Sequence, residues 1–140
     1  MATVELTFSA LPTHVRTARM IVTAVARRSG IAETLLDEVR LAVGEACSRA
    51  VEAHMQHCPA EPVRLELTDD DHRFEVVVAD SVPGDDAAGA GVDPVSVYDL
   101  AGGDGTAMLG LAVIAGLADD MAVTSTPKGV EIRMSWPLDG

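Results

Sequence analysis

Glu45 and Arg49 stand four residues apart in the run Leu36–His54, LDEVRLAVGEACSRAVEAH. A carboxylate in such a place can serve as a general base. With the acid first, the spacing is also that of a helical ion pair worth about 0.3–0.5 kcal/mol. Asp80 ends the apolar run Glu75–Ala79, four residues ahead of Gly84. A carboxylate there accepts hydrogen bonds from a ligand or, as a turn residue, from its own backbone. Gly102, Gly103, Gly105 and Gly110 lead into a second apolar run, Ala107–Leu117. Bare backbone N–H groups and the positive end of a helix suit phosphate, although a simple connection would be equally rich in glycine. His54, His57 and Cys58 have spacings that could ligate zinc, without a complete four-ligand signature. Cys47 and Cys58 otherwise read as small, buried or half-buried thiols.

The elements that must position these groups follow from periodicity. Residues 3–9 alternate apolar and polar and predict an opening strand. His14–Ser29 carries Val15, Ala18, Ile21, Val22 and Val25 at helical spacing, and Gly30 stands where a helix C-cap would. The clearest element is a helix over 32–57, with Leu35, Val39, Ala42, Val43, Ala46, Ala50 and Val51 as its buried stripe; Pro59 and Pro62 close it. Val63–Thr68 and Phe74–Ala79 flank the acidic turn Asp69-Asp70-Asp71 as a hairpin. A short helix over 107–117 precedes a last hairpin, Met121–Ser125 and Val130–Trp136, in which Met108, Met121 and Met134 read as core filling. The order β-α-α-β-β-loop-α-β-β predicts an α+β two-layer sandwich, a mixed and mostly antiparallel sheet with helices on one face. We read one domain over 1–140, with a lid-like loop at about 81–106 that is long for so small a fold.

Composition narrows the function classes. The chain has 140 residues, 10 basic and 22 acidic, a net charge of −12. Its 48 % apolar content is too high for disorder. A surface this acidic repels the phosphate backbone and anionic lipid, which argues against direct binding of nucleic acid or membrane. A basic protein partner remains open, since opposite charge speeds encounter. Met1–Glu5 has no basic stretch followed by an apolar run, so the reading is a cytoplasmic protein with reduced thiols.

The segment Leu36–His54 resembles the N-box helix of the GHKL ATPase/kinase superfamily. It looks like that of the small anti-sigma factors of the sporulation and general-stress type, which are serine protein kinases. Their helix reads approximately L-x-E-x-x-x-A-V-x-E-A-x-x-N-A-x-x-H. Asp80-Ser81-Val82-Pro83-Gly84 resembles the family's D-x-G-x-G box, with Val82 in place of the first glycine. Met108–Met121 resembles the glycine-rich lid that runs into a helix; Gly110 matches, while Met108 holds the preceding glycine position. Gly129–Met134 is similar to the family's G-T-x-[VI]-x-[LFM] strand, with Val130 for the threonine. Together these matches span roughly residues 5–138 and imply the Bergerat, histidine-kinase-ATPase-like fold.

The resemblance implies ATP held at Glu45, Arg49, Asp80, Gly84, Gly105 and Gly110. Glu45 would be the catalytic base and Asp80 the acceptor for the adenine amino group. It also implies a family asparagine that holds magnesium, but Arg49 stands in that place. An arginine has donors and no acceptor, so it cannot ligate magnesium, although it could neutralise triphosphate charge. Kinase chemistry is therefore expected to be weak or lost. The function read from the resemblance is an anti-sigma regulatory factor, sequestering a sigma factor and controlled by an anti-anti-sigma partner. The alternative is an active ATP-dependent serine protein kinase acting on that partner; a third reading is a degenerate domain bound to another regulator. In the family, dimerisation and sigma binding use the opening strand and first helix, which nominates His14, Arg16 and Arg19 as partner-binding residues and a homodimer as a further assembly.

Overall fold

The computed structural model describes residues 2–83 and 105–138. Gly84 and nearly all of the expected lid at 81–106 lie outside the described residues. The element order is β1 (Ala2–Phe8), α1 (Pro12–Ser29), α2 (Glu33–His57), β2 (Val63–Asp69), β3 (Arg73–Ala79), α3 (Gly105–Leu117), β4 (Asp120–Thr126) and β5 (Gly129–Pro137). The strands form one sheet in the order β1-β2-β3-β5-β4, with every pairing antiparallel. The helices pack on one face of it, so the expected α+β sandwich is what forms. Where the reading allowed a mixed sheet, the described one is antiparallel throughout.

Local chemistry sets the helix ends. Pro12 opens α1 at a position whose missing N–H costs nothing. Gly30 closes it at φ 105°, a left-handed conformation open to glycine. The Gly30 N–H donates to the Arg27 carbonyl and that of Ile31 to the Ala26 carbonyl, the paired bonds of a Schellman cap. The buried stripe of α1 is Val15, Ala18, Val22 and Ala26. Ile21, expected on it, sits 100° round the helix from Val22 and is exposed. On α2 the stripe runs through Leu36, Val39, Val43, Ala46, Cys47, Ala50 and His54, with Leu35 only half-buried.

Registers place alternate residues in the core. Leu65, Val78 and Ile132 lie in one row across β2, β3 and β5; Leu67, Val76 and Met134 form the next; Phe74 faces Trp136. All are essentially buried, and the sole tryptophan donates its indole N–H to the Leu117 carbonyl at 3.1 Å. α2 lies between α1 and α3 over the sheet. This arrangement aims one face of α2 at the end of β3. Among the described residues, no helix is long and apolar enough to cross a membrane.

Candidate functional site

Asp80 follows β3 directly and continues its inward alternation after Phe74, Val76 and Val78. Only 1 % of its side chain is exposed. A carboxylate taken from water must be fully hydrogen-bonded, and this one is. Oδ1 accepts the backbone N–H of Val82 and that of Val130, each at 3.0 Å. Oδ2 accepts from Arg49 Nη1 at 3.1 Å. The Asp80 N–H in turn donates to the Val130 carbonyl at 3.0 Å, and Arg64 Nη2 approaches the Asp80 carbonyl at 3.5 Å. The neighbouring turn comes close as well. A Cβ at Gly129, which has φ 150°, would collide with the Asp80 carbonyl oxygen.

This overturns the expected Glu45–Arg49 ion pair. Among the described residues, Arg49 pairs across 31 residues with Asp80, while Glu45 stands half-buried one turn earlier on α2. Magnitudes explain the choice. An exposed i,i+4 pair is worth about 0.3–0.5 kcal/mol, whereas a charge-assisted bond to a buried carboxylate contributes about 1.5–3 kcal/mol. The Arg49 side chain keeps 23 % of its surface exposed, so only part of the guanidinium is desolvated.

His54 is a group that sequence reading did not place in the site. It is fully buried on the α2 stripe, four residues after Ala50, and that spacing was the available signal. Its Nε2 accepts the Ser81 N–H at 2.9 Å, and its Nδ1 lies 2.8 Å from the Glu61 carbonyl oxygen. An amide N–H is always a donor, so Nε2 is unprotonated and Nδ1–H donates. With both nitrogens engaged, His54 has no lone pair for zinc. No group of three or more His, Cys, Asp or Glu comes together as a metal site among the described residues.

The remaining predicted residues fall in two places. Gly105 begins α3 and Gly110 lies on its second turn, whereas Gly84 is outside the described residues. His14, Arg16 and Arg19 lie on α1, with His14 against the end of β1. His14 contacts Phe8 edge-on at 6.5 Å and its Nδ1 is 3.2 Å from the Ser9 carbonyl oxygen. Arg16 is exposed; Arg19 is half-buried, its Cδ filling the space beside Gly44. A groove of about 420 Å³ runs here, lined by Leu6, Phe8, His14, Thr17, Ala18 and Ile21 among others. Ser125, the register partner of Val130 on β4, has a buried hydroxyl with no hydrogen-bond partner among the described residues.

The family described as Histidine kinase-like ATPase domain matches residues 8–136. No curated protein matches the chain. Among solved structures, the RsbU and RsbW domains of Rv1364c from Mycobacterium tuberculosis are similar with a TM-score of 0.71 at 14 % identity, over 99 % of this chain and 33 % of that one. This chain thus spans about a third of that structure's length. The SiaB-SiaC complex from Pseudomonas aeruginosa is similar with a TM-score of 0.64 at 13 % identity, over 95 % of this chain and 88 % of the other. At these identities the likeness is one of fold, and function has to be argued from the site.

Proposed function

Starting from a chain that belongs to the histidine kinase-like ATPase domain family, we propose that it is an anti-sigma regulatory factor with weak or lost ATP binding. It sequesters a sigma factor in the bacterial cytoplasm, regulating transcription, and an anti-anti-sigma protein counters it. The observation that carries the reading is the Arg49 guanidinium seated on Asp80. By family resemblance that carboxylate takes the adenine amino group, and residue 49 supplies an oxygen to magnesium. Here the chain's own arginine holds the carboxylate, and its donors offer a metal nothing. By resemblance Glu45, Gly105 and Gly110 keep family residue types, so the residues fit the nucleotide in part and the metal poorly. Bound ATP would supply a phosphoryl group; this chain's Glu45 would accept the hydroxyl proton of a substrate serine.

Partner binding is supported by the fold likeness to a structure containing RsbW and to the SiaB-SiaC complex, and by the β1–α1 face. The groove beside His14 is apolar, and Leu11 and Met20 of the α1 region are exposed, while Arg16 and Arg19 lie round the helix from the groove, Arg19 against Gly44 of α2. A second reading, an active ATP-dependent serine protein kinase acting on the anti-anti-sigma protein, is favoured by Ser125. Its hydroxyl, buried and without a hydrogen-bond partner among the described residues, lies in the register row of Val130, whose N–H binds Asp80, and a polar ligand would satisfy it.

Calorimetric titration with Mg-ATP separates the two. The wild type should show no saturable binding in the millimolar range, and Arg49→Asn should bind about tenfold tighter, or by about 1.4 kcal/mol, with Trp136 fluorescence reporting an intact fold. Stoichiometric serine phosphorylation of an anti-anti-sigma protein by the wild type would overturn the first reading in favour of the second.

A further inference from the structure

We propose that His54 is a positioning residue that fastens the Asp80–Val82 segment to α2 and lets go when its ring takes up a proton. The fastening depends on the fold alone and does not rest on the partners proposed above. Its geometry leaves one protonation state. The Ser81 N–H points at Nε2 at 2.9 Å, and the Glu61 carbonyl faces Nδ1 at 2.8 Å. The neutral ring with its proton on Nδ1 satisfies both, accepting on one side and donating on the other. A second proton can only go to Nε2, which then becomes a donor facing a donor. The Ser81 bond is lost, and the amide of a half-buried residue is left without that partner. The Glu61 bond survives, since Nδ1 still donates.

What the bond holds in place is the site. Ser81 lies between Asp80, whose Oδ2 carries Arg49, and Val82, whose N–H returns to Asp80 Oδ1. Freeing the Ser81 amide loosens the chain on the far side of that carboxylate while β3 stays anchored by its ladder to β2 and β5. The titratable and charged groups near His54 are Glu52, His57 and Cys58 along α2 and its end, Glu61, whose carbonyl the ring bonds, and Asp80 beside Ser81, with Arg49 and Arg64 engaged on Asp80. Arg49 is already neutralised by Asp80. Glu52, the carboxylate nearest His54 in sequence, is exposed, so a charged ring would draw compensation from Asp80 only at the expense of Arg49.

Nitrogen-15 NMR on the full chain tests this directly. At neutral pH, a through-hydrogen-bond coupling should connect the Ser81 nitrogen to His54 Nε2, with the ring proton on Nδ1. As the ring charges on acidification, the coupling should vanish. Ser81 amide protection, taken as a ratio to the β2 amides, should then fall about tenfold per pH unit. In His54→Gln, which keeps an acceptor but cannot titrate, that ratio should stay flat. A proton on Nε2 at neutral pH, or a missing coupling, overturns the proposal. So does Ser81 protection that tracks β2 until the whole chain unfolds. The wild-type measurements decide the matter even if the variant fails to fold.

Discussion

A carboxylate with 1 % of its side chain exposed has to find its donors inside the protein, and Asp80 finds three: two backbone N–H groups and Arg49. The same accounting governs the two thiols. Cys47 is fully buried on α2, and burial pushes its thiol up to about 12 against the pull of the Arg19 charge. Cys58 is half-buried; its thiol is raised first by that burial and then by the Glu61 and Asp80 carboxylates. The thiolate is the reactive form, so both cysteines should be sluggish at neutral pH. A disulfide reagent should titrate Cys58 slowly in the native protein and Cys47 only in denaturant. Two fast-reacting native thiols would contradict this account.

At the scale of elements, the β4–β5 hairpin is what brings a backbone N–H to Asp80. Its turn must pass close to the β3 end, and Gly129 permits this with φ 150° and no Cβ against the Asp80 carbonyl. Gly129→Ala should therefore cost about 3 kcal/mol, from the backbone strain and the displaced Val130 N–H together, measured as a lower urea midpoint. The glycine on α2 is a different case. A Cβ at Gly44 would meet Arg19 Cδ at 2.5 Å, but a flexible side chain can move aside. There, the roughly 1 kcal/mol of helix propensity gained by Gly44→Ala offsets the lost packing. A Gly129→Ala variant as stable as the wild type would show that the hairpin does not lock the site.

For the whole molecule, the decisive quantity is charge. Of the 10 cations set against 22 acids, Arg27, Arg40, Arg49, Arg73 and Arg133 are each tied to a carboxylate. The field beyond the surface is therefore strongly negative. It would draw in a basic partner over distances of about a Debye length, roughly 10 Å at 0.1 M salt. Association of the chain with the proposed sigma factor should slow by about tenfold between low and high salt while dissociation changes little. Stopped-flow measurements at several ionic strengths check this, and a salt-independent association rate would remove charge from the argument.

The sequence by itself determined the elements, because periods of two and 3.6 residues are local properties of the chain. It showed the alternating strands, the end of α1 at Gly30 and the acidic turn at 69–71, all within a residue or two. The family resemblance singled out Glu45 and also Asp80 and Gly129, which the fold brings side by side. Local spacing misled where a stronger, distant partner existed. Glu45 is four residues from Arg49, yet Asp80, 31 residues away, wins it because a buried carboxylate must be compensated and a solvated one need not be. His54 and Ser81, 27 residues apart, are joined for the same reason. No periodicity encodes such pairs. Only packing α2 over the end of β3 decides which polar groups lose their water together, and so which must bind one another.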